Sequence, residues 1–562
     1  MAGGLLQLVG RGAQDQLVTG NPSFTHFRSV YKRHTDFAME HFRLYFKTSV
    51  LTFPTSGTLT LRTKVERYAQ LLNDCYLSID LPNIYSPVVN YGTLTAYEFQ
   101  WVRNLGYNMI RRVSILINGQ EIVRHTGEWM KLYANLTFDA NKRDILDRMI
   151  GNVPELYDPA NSYKNAGTYP SASSTAGPPA ADAEPSILGR TLLVPLHFWF
   201  CETVGQSLPM VSLQQSEVEI VVELNNAYQL FTVLNVRNTV GTRVNGTRIP
   251  PDQSDAAFAM SHFLSPPLAS NSRLNKIPDL KTWNMNPFLE CNYIFVGDTE
   301  LSYIARTDHS FMISQVDMVQ ADGQYGPSND LELTMKNLVT RILWVFQRSD
   351  RINQNDPDNY TNWEDPYKFP KIVGNGGSGF AVDSNVSQRD ILLESTLMLD
   401  GQERFSPKQT LFFSGLQLYR FQTGNPMSGV YEYSFALNND PAQPSGSING
   451  SMFNKTLLRN TLITPPGTSG GGIPAGATTT VCILKSTAGS KNPLVITAPN
   501  VIDPNTGRPL YGPEDLITIV RKTDATGTPL NTFKYTYSVR AYTQSYNFLR
   551  ITGGIGNVVF SS

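Results

Sequence analysis

The sequence predicts an all-β chain made of two tandem sheet domains, and three observations predict it. Apolar and polar residues alternate with period two through much of the chain, the pattern of half-buried strands. The composition is that of a turn-rich protein: charged residues are only 17%, against about 25% in a typical soluble chain, while Gly (42), Pro (35) and aromatics (11%) are plentiful. At 562 residues the chain exceeds the roughly 250–300 residues at which single cores stop growing, and its first half is echoed in its second.

Residues 1–36 read as an N-terminal arm. Asn21-Pro22 has the form of an N-cap followed by Pro at the first helical position, which predicts a short helix after it. Phe24, Phe27 and Tyr31 recur at helical spacing with Arg28, Lys32 and Arg33 between them, giving an anchoring helix with a basic face. That face is either solvated or turned toward a negatively charged neighbour, another subunit or a lipid surface. The arm has no basic n-region and no long apolar h-region, so no secretory signal peptide is expected. No apolar run approaches the roughly 20 residues needed to span a bilayer.

The first domain is expected over 37–297. Phe42, Leu44 and Phe46 alternate with Arg43, Tyr45 and Lys47, and strands follow at Leu59–Leu61, Cys75–Leu81 and Val113–Ile117. Asn118-Gly119 is the dipeptide most favoured in a type I′ hairpin, where both central residues need positive φ. Trp129, Leu132 and Leu136, then Ile145, Leu146 and Met149, mark one helical excursion. Residues 154–187 read as a long exposed loop. Strands resume at Leu192–Phe200, at Glu217–Leu224 with Val218, Ile220, Val222 and Leu224 on one face, and at Cys291–Val296, with 225–287 irregular. Residues 298–309 are the expected connector, and 310–562 the second domain.

The internal echo supports this division. Ser114-Ile-Leu-Ile-Asn118-Gly119-Gln-Glu121 and Thr396-Leu-Met-Leu-Asp400-Gly401-Gln-Glu403 share one design, a strand running into an Asn/Asp-Gly hairpin turn, half the chain apart. Pro195-Leu-His-Phe-Trp-Phe200 is answered by Tyr431-Glu-Tyr-Ser-Phe435, and Cys291-Asn-Tyr-Ile-Phe295 by Ser545-Tyr-Asn-Phe-Leu549. In each half an irregular run, 225–287 or 463–532, precedes the last strand. Four features in the same order point to a tandem duplication.

Further residues carry a family resemblance. Met1-Ala-Gly-Gly-Leu-Leu-Gln-Leu-Val9, Gly12-Ala-Gln-Asp15, Thr19-Gly-Asn-Pro22 and Val30-Tyr-Lys-Arg-His-Thr-Asp-Phe-Ala38 open the chain. Glu98-Phe-Gln-Trp-Val-Arg-Asn-Leu-Gly106, Leu208-Pro-Met-Val-Ser-Leu-Gln-Gln-Ser-Glu-Val218, Gly401-Gln-Glu-Arg-Phe405, Gly429-Val-Tyr-Glu-Tyr-Ser-Phe-Ala-Leu437, Gln443-Pro-Ser-Gly446 and Tyr546-Asn-Phe-Leu-Arg-Ile551 follow in order. Together they resemble the major capsid proteins of nucleocytoplasmic large DNA viruses, with the algal-virus and giant amoebal-virus members nearest. The resemblance implies a double jelly roll, two tandem eight-stranded sandwiches with short helices and long loop insertions. It implies a homotrimeric, pseudo-hexagonal capsomer that tiles an icosahedral shell, assembled in the host cytoplasm and carried in the virion. Its implied partners are copies of itself, minor capsid and penton proteins, an internal membrane surface for the arm, and glycans on outer loops.

A jelly roll can also be a cupin enzyme or a lectin. The seven histidines (26, 34, 41, 125, 197, 262, 309) include no His-x-His pair and no pair four apart, so neither a cupin site nor an H-E-x-x-H helix can be written. Gly374-Asn-Gly-Gly-Ser-Gly379 lacks the Lys-Ser/Thr of a phosphate loop. No G-x-S-x-G elbow is found, and Glu121 and Glu403 read as solvated hairpin ends rather than a glycosidase pair. No cofactor, metal or catalytic residue is therefore expected. The balance of 46 Lys+Arg against 47 Asp+Glu gives no field for direct nucleic-acid binding. Cys75, Cys201, Cys291 and Cys482, far apart and without CxxC spacing, read as buried free thiols. The alternative function is a carbohydrate- or receptor-binding surface protein that uses the long loops as its binding face.

Overall fold

The computed structural model describes residues 3–47, 51–86, 98–162, 184–235, 247–251, 260–264, 282–324, 327–363, 389–438, 443–463, 479–484, 516–523 and 536–560, with a few short pieces between them. In the first half, eight strands carry the fold: β1 (Phe37–Tyr45), β2 (Leu59–Lys64), β3 (Leu71–Asp80), β4 (Ile110–Ile117), β5 (Gln120–Thr126), β6 (Thr191–Pro195), β7 (Val218–Leu224) and β8 (Phe288–Val296). They form two antiparallel sheets, ordered β1-β8-β3-β6 and β2-β7-β4-β5. The alternation in β7 explains its placement. Val218, Ile220, Val222 and Leu224 are buried between the sheets, while Glu219 and Glu223 are half-buried and pair with Lys47 and Arg112 on the outer face.

The second half repeats this plan with β9 (His309–Gln324), β10 (Asn329–Glu332), β11 (Leu338–Arg348), β12 (Leu392–Leu399), β13 (Gln402–Glu403), β14 (Val430–Ser434), β15 (Thr456–Leu462) and β16 (Tyr537–Thr552). Its sheets run β9-β16-β11-β14 and β10-β15-β12-β13, strand for strand the order of the first half. Even a two-residue edge piece is repeated. Leu208–Pro209 extends the edge on the start of β3, and Ile448–Asn449 does so on the start of β11. No described sheet mixes strands from the two halves. Two facing sheets with these crossing connections make each half a jelly roll.

The helices are short. α1 (Gly3–Val9) and α2 (Gln16–Thr19) lie in the arm, and α3 (Leu105–Met109), α4 (Gly127–Thr137), α5 (Ala140–Ile150) and the single turn α6 (Pro154–Tyr157) belong to the first roll. α7 (Asp298–Arg306) lies between β8 and β9. The helical excursion is thus two helices, α4 and α5, with Leu132, Leu136 and Leu146 buried.

Several expectations are corrected. No helix follows Asn21-Pro22; residues 21–36 are irregular and the arm's helices lie upstream of them. Asn21 has φ +52°, whereas an N-cap takes extended geometry, and Phe24, Phe27 and Tyr31 are 70%, 100% and 81% exposed. A short amphipathic helix with nothing against its apolar face is not stable alone. The strand expected over Leu192–Phe200 stops at Pro195 and gives way to a buried 3₁₀ turn at Trp199–Cys201. The loop 154–187 is not simply exposed, because Leu156, Tyr169 and Ala172 are buried and the Tyr169 hydroxyl donates to Phe99 O at 2.8 Å. The runs 225–287 and 463–532 contain strands at Phe231–Asn235 and Thr247–Ile249, and a four-stranded sheet built from Thr479–Leu484, Val495–Ile496, Leu516–Thr523 and Pro529–Thr532. Gly374–Gly379 lies outside the described residues.

Candidate functional site: the seam between the rolls and the exposed arm

The two rolls share one core. The cluster that fills the first roll continues through Ile313, Leu343, Val345, Tyr542 and Ile551 of the second, and a separate cluster lies wholly within the second. α4 organises the seam. Thr126 Oγ1 accepts from Trp129 N–H at 3.1 Å and caps its N-terminus. At its C-terminus the carbonyls of Leu136 and Thr137, which have no partner within the helix, accept from Gly424 N–H (2.8 Å) and the Thr423 hydroxyl (2.6 Å) of the second roll. Gly424 packs so closely that an added Cβ would stand 2.2 Å from Asn135 O.

Charged groups of α4 face the second roll, Lys131 buried and Glu128 half-buried. Glu128 accepts from Arg540 Nε (2.5 Å) and Nη2 (2.7 Å), from the Tyr542 hydroxyl (2.5 Å) and from the Tyr360 hydroxyl (2.7 Å). Burial alone would raise the Glu128 carboxyl, but the Arg540 charge and these donors overcome it and hold it near pKa 2. One turn on, Lys131 Nζ meets Asp358 Oδ1 at 2.5 Å, with side chains only 1% and 5% exposed. Arg341 of β11 lies over the rings of Trp129 and Tyr133, 5.5 Å from each, and 3.6 Å from Glu432. A pair of this kind gains little over apolar packing, yet losing one partner strands a charge. The network therefore fixes the angle between the rolls more than it adds stability.

The C-terminal hairpin makes a second contact. Ser216 Oγ donates to Gly554 O and accepts from Gly556 N–H, both at 3.2 Å. Ser216 also accepts from Asn118 Nδ2 at 3.0 Å, which ties this contact to the first hairpin turn. The turn residues have positive φ: +52° and +79° at Asn118 and Gly119, +47° and +85° at Asp400 and Gly401. Both turns are pinned alike. Asn118 Oδ1 accepts from Glu217 N–H (2.9 Å) just before β7, and Asp400 Oδ1 from Lys455 N–H (2.8 Å) just before β15.

The arm residues Phe24, Phe27, Arg28, Tyr31, Lys32 and Arg33 do not reach the seam and are all exposed. Sequence reasoning missed Glu128, Lys131, Arg341, Asp358 and Arg540. The available signal was a charge inside an apolar run, as in Trp129-Met-Lys131-Leu-Tyr133, since buried charges are almost always paired. Among the described residues no group of three His, Cys, Asp or Glu could hold a metal, and no helix is long and apolar enough to cross a membrane. His125 is buried and His197 half-buried among aromatic rings, and their desolvation lowers them to about 4 and about 3. Cys75 and Cys291 are buried free thiols opposite each other on β3 and β8, and Cys201 is a half-buried free thiol. The sequence carries Asn-x-Ser/Thr (x not Pro) at six positions: Asn135 and Asn359 are buried, Asn449 and Asn454 are exposed, and Asn245 and Asn385 lie outside the described residues.

Two rolls of like topology, locked by a buried seam, define a rigid double jelly roll. The PBCV-1 virus capsid has this fold, with TM-score 0.59, 19% identity and coverage of 96% of this chain and all of that one. The Faustovirus major capsid protein matches at TM-score 0.58 and 14% identity over 98% and 96% of the two chains. Residues 25–262 match the family described as "Major capsid protein N-terminus", and 300–487 that described as "Large eukaryotic DNA virus major capsid protein". The major capsid protein of Phaeocystis pouchetii virus is 27% identical over 534 residues, 82% of this chain and 92% of that one. Probable capsid protein 4 of Acanthamoeba polyphaga mimivirus is 26% identical over 511 residues, 80% and 91%. The chain belongs to the major capsid proteins of large eukaryotic DNA viruses. It is a structural, self-associating protein of the icosahedral virion shell, not an enzyme.

Proposed function

We propose that the chain assembles as a homotrimer in which residues 37–297 and 310–562 are two similar wedges, so that three copies present six around a threefold axis. Residues 298–309 link the wedges, and the arm 1–36 lies on the inner side against neighbouring capsid proteins or an internal membrane surface. One observation carries this reading: Leu5, Leu6, Phe24, Phe27 and Tyr31 of the arm are all exposed in the single chain. Exposed large apolar side chains grouped along one arm are a common mark of an interaction surface. The two jelly rolls of equal topology supply the near-hexagonal outline, and the net charge of −1 favours indirect contact with the genome.

Light scattering coupled to size-exclusion chromatography tests this. The expected mass is about three times 62.5 kDa, unchanged on dilution, because an obligate interface buries on the order of 2,000–5,000 Å². A stable monomer at micromolar concentration would overturn the trimer.

A further inference from the structure

The Lys131–Asp358 contact has the makings of more than an ion pair. Lys131 is on α4 of the first roll and Asp358 follows β11 of the second, so the pair spans the seam. The ammonium is 2.5 Å from Asp358 Oδ1, and both side chains are almost fully shielded from water. Two amides hold the carboxyl group: Asn104 Nδ2 donates to Oδ2 at 2.6 Å and Asn108 Nδ2 to Oδ1 at 3.2 Å. Asn108 Oδ1 (3.3 Å) and Pro357 O (3.5 Å) orient the ammonium, and the Tyr360 ring lies 5.4 Å away. Amine and carboxyl are thus pressed together by the fold, in a site from which water is excluded.

We propose that Lys131 and Asp358 form an intramolecular isopeptide bond that covalently joins the two rolls. The ammonium passes its proton to the carboxylate within the pair, and the neutral amine attacks Asp358 Cγ. The tetrahedral oxyanion is met by the Asn104 and Asn108 amide donors, as in an oxyanion hole. The Nζ–Cγ bond forms, one Cγ–O bond breaks, and one water leaves; no oxidant or reductant is needed. Proximity supplies much of the activation, since fixed neighbours react as if at very high concentration. Exchanging a buried ion pair for a neutral amide removes two desolvated charges, so burial favours the bonded state. Asp356, two residues before Asp358, is raised to about 6 by burial and then by the Asp358 charge.

Intact-mass spectrometry of the denatured full chain tests this. The expected result is a mass lower than the sequence mass by one water, with tryptic segments 125–142 and 352–368 recovered as one branched species uncut after Lys131. Asp358→Asn should still cross-link but lose one ammonia instead, and Lys131→Arg should give the full mass and two linear peptides. A wild-type chain of full sequence mass, cleaved after Lys131, overturns the proposal without relying on any variant's folding. So does a loss of water that leaves both peptides linear, as cyclisation at Asp400-Gly401 would produce.

Discussion

Glu128 is a half-buried carboxylate that stays ionised because four donors converge on it from the second roll. Glu128→Gln keeps the shape and leaves the Arg540 charge unmatched, which should destabilise the seam by about 3–5 kcal/mol at pH 7. Its folded pKa, about 2, lies below the ordinary 4.5, so its contribution is present above pH 4.5 and is lost as pH falls toward 2. Urea midpoints of wild type and variant should therefore converge over that window; a constant gap would count against the account. Asp356 has the opposite sign. Its folded pKa, about 6, lies above 3.8, so its ionisation costs stability as pH rises through 6 and costs nothing below 3.8. Asp356→Asn is expected to be more stable than wild type at pH 8, by on the order of 2–3 kcal/mol. That advantage should vanish near pH 4, and thermal melts across the range would reveal whether it does.

At the scale of elements, each hairpin is set by its turn dipeptide and then fastened to the strand beside it. Asn118→Gly keeps the positive φ but removes the hydrogen bonds to Glu217 and Ser216, for an expected loss of about 1 kcal/mol. Asn118→Asp retains the acceptor, as Asp400 does in the second roll, and should lose less in the same denaturation series. The arm shows the opposite relation between pattern and structure. Its three- and four-residue spacing of aromatics is legible in the sequence, yet no helix forms over it, because the apolar stripe has no surface of its own chain to cover. α4 carries a similar stripe and does form, since its cap is local and its apolar side enters the core.

The whole molecule depends on how closely the rolls approach. Gly424→Ala places a methyl group against the α4 carbonyls, which cannot move without breaking the helix end, and should cost on the order of 3 kcal/mol. Limited proteolysis would show earlier cleavage between the rolls in this variant; an unchanged pattern would mean the seam tolerates more than the geometry suggests. A shell subunit gains from such stiffness, because the angle between its wedges sets the geometry of every contact it makes with its neighbours.

Much of this was written locally. The period of two in β7, the Asn-Gly and Asp-Gly turns and the repeated order of features depend on neighbours in sequence, and they determined the strands, the hairpins and the duplication. The family resemblance extended this to the double jelly roll and the shell. What tertiary structure alone decided was the partnership of charges far apart in the chain: Glu128 with Arg540, and Lys131 with Asp358. No periodicity encodes such pairs, because their cost and their compensation arise only once the fold has removed both partners from water. The arm's conformation was undecided for the same reason, since an apolar face takes its structure from the surface it meets.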